Sequence, residues 1–391
     1  MKVFFNDFVS PYQELKAELD DAYGRFMQSA WYVLGKEVAS FEEEYASYCD
    51  AKYCVGVGHG LDALHLALRA LDIGPGDEVI VPSNTYIATW LAVTQAGATP
   101  VPVEPDPATH NLDPQLIAAA ITPRTKAILA VNLYGHPCDY DAILTLAREH
   151  GIKVVIDNAQ AHGALYKGCR VGGLADIECH SFYPSKNLGA FGEAGAITTQ
   201  KTDLADKIRV LRNYGSRVRY HNEVAGYNSR LDELQAAFLR VKLRYLDEWN
   251  ARRTAIAEHY LIELGSRSQE PEASGQRSAI SSSTIHNPQS TMILPTVPQW
   301  ARPVWHLFVI RHPQRDLLQQ HLTAEGIQSI IHYPVPPHLS GAYQHCGYAL
   351  GSLPLAEMLS NEVISLPIGP HMAPDSVAIV ATALQSFQAR P

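Results

Sequence analysis

Between about residues 53 and 200 the chain alternates short, continuous apolar runs with helix-like stretches. No other feature constrains its fold as strongly. The candidate strands are Tyr53–Val57, Glu78–Val81, Thr99–Val103, Ala127–Val131, Lys153–Ile156 and Ala194–Thr198. Between them lie candidate helices Leu61–Leu71, Ile87–Ala96, Pro114–Ala120 and Asp139–His150. A strand that is apolar throughout, rather than at every second residue, is covered on both faces. That is the condition of a mostly parallel sheet with crossover helices. Leu61, Leu64, Leu68 and Leu71 recur at helical spacing and so share one face. The pattern predicts an α/β large domain in three layers.

The remainder reads differently. Leu231 to about Leu264 predicts one long helix, or two in series, with no proline and many good helix formers. Residues 266–291 are serine-rich and aperiodic, and read as a flexible surface excursion. After them come a predicted strand at Val304–Ile310, a helix at Arg315–Gly326, a strand at Ser329–His332 and a closing helix at Asp375–Ala389. The expected division is a large domain over 1–250, including the N-terminal segment, and a smaller α+β domain over 251–391. A length of 391 residues suits two or three domains at about 150 residues each.

Composition excludes several function classes. Charged residues at 18% and apolar residues at 46% exclude a disordered chain. The net charge of −9, with lysine and arginine scattered, gives no footprint for nucleic acid. No run approaches the ~20 apolar residues of a membrane span. The start, MKVFFNDFVSPYQELK, turns acidic and helical too soon for a signal peptide, so the expectation is a cytoplasmic protein. The six cysteines form no C-x-x-C pair and read as reduced thiols. Among 17 histidines no H-E-x-x-H appears, and no metal site is expected.

Four segments carry chemistry. Gly56-Val57-Gly58-His59-Gly60-Leu61-Asp62 lies between a strand and a helix. There glycines admit close approach of an anion and the helix start offers free N–H groups, so it reads as a phosphate cup or as a plain tight turn. Its spacing is not that of a dinucleotide fingerprint, which excludes a nucleotide-binding oxidoreductase of that type. Asp157 ends a buried-looking strand. It would pair with a protonated pyridine nitrogen, as pyridoxal phosphate (PLP) requires, or cap the next segment. Lys186 lies among small and apolar residues in Ser181-Phe182-Tyr183-Pro184-Ser185-Lys186, a setting suited to a desolvated, nucleophilic amine, with Ser181 and Ser185 available to a phosphate. Tyr86, after the strand ending at Val81, would stack on a planar ring or simply pack. The order of cup, aspartate, then lysine 29 residues later (186 − 157) is far more specific than any one piece.

With these residues in place, the sequence resembles PLP enzymes of fold type I, in the DegT/StrS-type nucleotide-sugar aminotransferases. The resemblance runs from Asn6-Asp7-Phe8 to about Pro370, and only 266–291 lacks a counterpart. It rests on Trp31–Gly35, Gly60–Leu64, Gly76–Pro82, Asn132–His136, Asp157–Gly163, the Lys186 segment and Gly226–Asp232. Asn84–Trp90, Tyr183–Lys186 and Ile331–Pro334 look most like the branch that aminates dTDP-linked 3-keto-6-deoxyhexoses. Relatives that aminate C4 often have histidine where this chain has Tyr183. Ile156 and His180 stand where the family usually has glutamate and phenylalanine.

The resemblance implies a reaction and its residues. L-Glutamate would leave its amine on PLP and the 3-keto sugar would take it, giving a 3-amino-3,6-dideoxyhexose. Lys186 would bind the cofactor covalently and move the proton, and Asp157 would keep the pyridine nitrogen protonated. Gln160 would reach the ring's 3-oxygen and Tyr86 would cover its face. Gly60, Leu61 and Ser181 would hold the phosphate. The active site would sit at a homodimer interface, with Asn228 supplied by the partner copy. Arg230 would bind an anionic group, and Tyr183 and His332 would contact the sugar. The alternatives are a 4-keto sugar aminotransferase, a 3-dehydratase of the same fold (which Lys186 argues against, since it needs histidine there), and a catalytically silent PLP-binding sensory protein.

Overall fold

The structure, a computed structural model, describes residues 2–265, 292–373 and 375–388, so the serine-rich stretch 266–291 lies outside the described residues. Two helices, α1 (Ser10–Ser29) and α2 (Lys36–Tyr48), precede the sheet. Pro11 occupies the first turn of α1, where its missing N–H costs nothing. The chain then builds β1 (Tyr53–Val57), α3 (Gly60–Ala70), β2 (Glu78–Pro82), α4 (Ile87–Gln95), β3 (Thr99–Val103), α5 (Pro114–Ala120), β4 (Thr125–Val131), α6 (Tyr140–His150) and β5 (Lys153–Asp157). A short hairpin, β6 (Leu165–Tyr166) with β7 (Cys169–Arg170), leads to β8 (Ile177–Ser181) and β9 (Gly195–Thr199).

Seven strands form one sheet in the order β1-β9-β8-β5-β4-β2-β3. The five from β8 to β3 run parallel, while β9 is antiparallel to both its neighbours. The α/β, mostly parallel architecture expected of the sequence is therefore present. Its central strands are largely buried, with Val79, Ile80, Val81, Ile128, Leu129 and Val155 at zero exposure.

Sequence patterning misses β8, because Ile-Glu-Cys-His-Ser reads as polar. The polar groups are buried and satisfied. The Glu178 carboxylate accepts backbone N–H bonds from Gly172, Leu174 and Ala175, and His180 lies between the Tyr45 hydroxyl and Thr198 Oγ1. Buried polar groups persist in a core when they are paired in this way.

After the sheet come α7 (Thr202–Leu211), a hairpin of β10 (Ser216–Val218) and β11 (His221–Asn222), and α8 (Glu233–Leu243) and α9 (Leu246–Gly265). The long helical stretch is thus two helices in series. The C-terminal part holds β12 (Ala301–Arg302), β13 (Phe308–Arg311), α10 (Arg315–Ala324), α11 (Pro354–Glu362), β14 (Val363–Leu366) and α12 (Ser376–Ser386). Two expectations fail here. The strand expected from Val304 starts at Phe308, since residues 304–307 bridge to the large sheet's loops instead, with Val304 N–H on Gly135 O and Leu307 N–H on Tyr134 O. Ser329–His332 is not a strand: only Ile330 pairs, with Ser365, and the chain then turns away.

The C-terminal core gathers Tyr260, Trp305, Phe308, Ile310, Leu322, Ile364 and Val380, and Val3 of the N-terminal segment joins it. The N-terminus therefore packs on the C-terminal part, pinned by Val3 pairing with Ile327. Among the described residues no helix is long and apolar enough to cross a membrane.

Candidate active site

Parallel strands deliver their carboxyl ends to one rim, where open α/β sheets bind ligands. Asp157 is the last residue of β5 and Ser181 the last of β8. The Asp157 carboxylate is buried. Its Oδ1 accepts the Ala159 N–H at 3.0 Å and its Oδ2 accepts the Thr89 hydroxyl at 3.3 Å. Thr89 Oγ1 lies 2.9 Å from Thr85 Oγ1, so α4 braces the carboxylate from one side. Burial raises the Asp157 pKa, while the Ala159 N–H and the charge of Lys186 oppose that rise.

Lys186 sits half-buried on a turn closed by its own N–H on Tyr183 O at 2.8 Å. Burial pushes its amine down to about 8, with the Asp157 charge pulling the other way. The turn is tight. A Cβ on Gly189 would meet Pro184 O at 2.3 Å, so only glycine fits. Asn187 fixes the chain just after the lysine. Its Nδ2 donates to Asn250 Oδ1 (2.8 Å) and Val304 O (2.9 Å), and its Oδ1 lies 3.1 Å from His306 Nδ1. A lysine on a turn fixed in this way, its amine part-desolvated and within the field of the Asp157 carboxylate, suits covalent and proton-transfer work.

Gln160 is held at both ends. Its Oε1 accepts the Tyr134 N–H at 2.6 Å and its Nε2 donates to the Tyr333 hydroxyl at 3.0 Å. Tyr134 in turn donates its hydroxyl to His332 O, and His332 Nδ1 lies 2.8 Å from Ser365 Oγ. Burial and the nearby Lys186 charge hold the His332 imidazole down to about 4, so it is neutral at neutral pH. Tyr86 precedes α4 with its ring 54% exposed, 5.2 Å from the Tyr333 ring.

Gly60 and Leu61 open α3, where the first N–H groups have no intrahelical acceptor. His59 caps this end, its Nδ1 accepting the Asp62 N–H at 3.1 Å. A Cβ on Gly60 would fall 2.5 Å from the Ser181 Cβ. The strand end and the helix start are therefore in direct contact, and only glycine permits it. This cradle of N–H groups and a hydroxyl, beside a buried carboxylate and a depressed lysine, fits PLP: phosphate seat, ring-nitrogen partner and amine lie within one chain.

Other sequence-derived residues are not brought to this cluster. Asn228 is exposed and pairs with Asn213, and Arg230 donates to Asn213 Oδ1 at 3.2 Å with its guanidinium 5.1 Å from the Tyr214 ring centre. Between them, Ser229 accepts the Gly58 N–H at 3.0 Å, which ties their loop to the approach to the phosphate seat. Tyr183 is exposed beside the lysine turn. Sequence reasoning assigned no role to Thr89, Asn187, Tyr134, Tyr333 or His306. Thr89, Tyr134, Asn187 and Tyr333 lie within or beside the segments that carry the resemblance, whereas His306 had no such signal.

The chain is similar to known proteins over nearly its whole length. The model of the DegT/DnrJ/EryC1/StrS aminotransferase family matches residues 13–385. The chain is 51% identical to the erythromycin biosynthesis sensory transduction protein EryC1 of Saccharopolyspora erythraea, over 99% of this chain and 100% of that one. It is 49% identical to the dTDP-3-amino-3,4,6-trideoxy-alpha-D-glucose transaminase of Streptomyces venezuelae (100% and 97%). It is 50% identical to the dTDP-3-amino-3,6-dideoxy-alpha-D-galactopyranose transaminase of Aneurinibacillus thermoaerophilus (95% and 95%). Among solved structures, S. venezuelae DesV in complex with a ketimine intermediate superposes with TM-score 0.92 at 49% identity, covering 100% and 99% of the two chains. NtdA of Bacillus subtilis, with bound cofactor PMP, matches at TM-score 0.86 and 28% identity, covering 98% and 84%. The fold is that of these PLP-type aminotransferases, and the chain belongs to the DegT/DnrJ/EryC1/StrS aminotransferase family.

Proposed function

We propose that this protein transfers the amine of L-glutamate to C3 of a dTDP-linked 3-keto-6-deoxyhexose, with PLP as cofactor. The observation that carries the reading is Lys186, its pKa depressed, facing the buried Asp157 carboxylate beside a phosphate cradle. Relatives near 50% identity that bear dTDP-3-aminosugar transaminase names support the substrate class.

When bound, PLP supplies an electron sink for the charge left as the donor's α-proton departs. Asp157, in its buried setting, holds a proton at the pyridine nitrogen. Gly60 and Leu61 N–H and the Ser181 hydroxyl bind the phosphate, Gln160 orients toward the 3-oxygen, and Tyr86 covers the exposed ring face. Lys186 Nζ would take the proton from the donor's Cα and hold it for return, the one amine serving as base and then acid. Tyr183, Arg230 and His332 orient the sugar nucleotide. His332 does so as a neutral ring, a hydrogen-bond partner rather than a charge.

We also place the working site between two copies of the chain, with Asn228 coming from the partner. Trp31, Tyr32, Tyr214, Val218 and Tyr220 are all exposed, side chains that a partner copy would cover. All six thiols are free, which fits the reducing cytoplasm.

The test is a glutamate-driven assay with dTDP-3-keto- and dTDP-4-keto-6-deoxyhexose side by side, read by mass spectrometry. Amination of the 3-keto sugar alone is expected, and amination of the 4-keto sugar alone overturns the branch. The sensory wording in one relative's name favours a second reading, a silent cofactor binder. Conversion of the cofactor's absorption by L-glutamate alone excludes it.

A further inference from the structure

Among the described residues, two buried cations have no anionic partner. Lys242 on α8 is 6% exposed. Its Nζ donates to Gly189 O at 2.7 Å and lies 3.7 Å from the centre of the Phe191 ring. Arg253 on α9 is 8% exposed, and Nη1 donates to Ile368 O at 3.1 Å and Trp305 O at 3.4 Å. Every one of these partners is neutral. Among the described residues no carboxylate pairs with either cation, and desolvation alone lowers both pKa values, Lys242 to about 8 and Arg253 to about 10. Buried lysine and arginine are otherwise found paired, because an uncompensated buried charge is costly.

Both cations line one cavity of about 890 Å³, and Lys186 lines it too. Its other walls include Phe5, Phe8 and Trp249. The acidic groups at its margin are already engaged. Asp7 accepts the Val9 and Ser10 N–H groups, and Glu14 is bound by Arg252, Trp249 and His371. The remaining lysine of the lining, Lys2, reaches Glu325 at 3.8 Å. The cavity is therefore electropositive at its buried end and partly aromatic along its walls. It suits an acyclic molecule with a short apolar stem and a terminal anion.

We propose that Lys242 and Arg253 bind the distal carboxylate of the amino donor, making this cavity the site that selects a dicarboxylic amino acid. The proposal rests on the aminotransferase reading above and adds the donor's subsite to it. A carboxylate would supply the missing counter-charge for both cations. Arg253 offers further N–H groups beyond the nitrogen engaged with the two carbonyls. A diphosphate of the nucleotide is the other anion of comparable chemistry, and the test separates the two.

The probe is glutarate, which has both carboxylates of the donor and no amine to react. Calorimetry on the PLP-loaded protein is expected to show glutarate binding far more tightly than butyrate. Lys242→Met and Arg253→Met are each expected to weaken glutarate by about 10- to 100-fold, the worth of one charge-assisted hydrogen bond. The affinity for dTDP should stay within about twofold, since the diphosphate would not use these groups. Lys242→Gln keeps an N–H for Gly189 O without the charge. It guards against a merely unfolded variant and is expected to lose glutarate as Lys242→Met does. The KM for L-glutamate should rise in parallel while that for the keto sugar does not. Unchanged glutarate affinity in the folded variants, or a loss confined to dTDP, overturns the proposal. If the variants lose glutarate but the wild type shows no cofactor conversion with L-glutamate, the anion site stands and the aminotransferase reading falls.

Discussion

The strip from Asp157 to Ala190 and the strip from Asn213 to Arg230 both carry residues of the proposed site, and they are built in opposite ways. In the first, the carboxylate, the amide and the turn that carries the lysine are all tethered. Asp157 is braced by Ala159 and Thr89, Gln160 by Tyr134 and Tyr333, and the lysine turn by Asn187 and the close pass of Gly189 over Pro184. In the second, Asn228 is exposed, Arg230 donates to Asn213 of the same strip, and the hairpin at 216–222 presents Val218 and Tyr220 outward. One half of the site is finished within the chain. On the reading proposed above, the other half is completed by a second copy of the chain that covers that hairpin.

The sharpest way to break this comparison is to remove the group that the first strip exists to hold. Lys186→Ala is expected to lower turnover by at least about 10³-fold, since one amine is both nucleophile and proton carrier. Borohydride reduction of the loaded wild type should add the cofactor's mass to the Lys186 peptide, and the variant should show no such adduct. An adduct on another lysine would mean that the tethered strip is scaffolding.

The second test concerns the untethered strip. Lys186→Ala protomers mixed with Asn228→Ala/Arg230→Ala protomers, each inactive alone, should recover about a quarter of wild-type activity, because half the dimers are mixed and each then owns one intact site. No recovery, with mixed dimers verified by native mass spectrometry, would place Asn228 and Arg230 in the same chain's site as Lys186 and erase the contrast.

The third test probes coupling inside the first strip. In the cofactor-free protein, labelling of Lys186 by an aldehyde and cyanoborohydride should rise with pH through about 8, as the ammonium gives way to free amine. The Asp157 charge raises the lysine's pKa, so Asp157→Asn should move that midpoint down. It should also cost about 10²- to 10³-fold in turnover, as a ring nitrogen without its anionic partner stabilises less charge. An unchanged midpoint would show that the two groups do not face each other.

The two strips were also unequally legible in the sequence. Alternating apolar runs and helical spacing disclose the sheet, and the order of cup, aspartate and lysine discloses the chemistry, because strand ends and helix starts fix where those residues must lie. What stayed hidden depends on contacts distant in sequence. The strand Ile177–Ser181 reads as polar from its Glu178 and His180, and what lets it be buried includes the Tyr45 hydroxyl beside His180, 135 residues away. The strand expected at Ser329–His332 shrinks to one bridge because its partner, Ser365, meets only Ile330. Tyr134 and Tyr333 flank Gln160 from 26 and 173 residues away, a relation that no local pattern records.

That long-range pairing sets the smallest expected effect. Tyr333→Phe removes the hydroxyl that accepts from Gln160 Nε2 but leaves the Tyr134 N–H on Oε1 at 2.6 Å. The amide therefore keeps its orientation and loses one neutral hydrogen bond, worth about 1 kcal/mol. The variant should bind PLP about fivefold more weakly, in line with that energy, with turnover little changed. Tyr333 also packs its ring 5.2 Å from Tyr86, and phenylalanine preserves that contact. If turnover instead collapsed as far as it is expected to in Asp157→Asn, the hydroxyl itself would have to touch the reacting atoms. The tethered strip would then extend into the C-terminal part of the chain, and the line between a finished half and an open half would have to be drawn elsewhere.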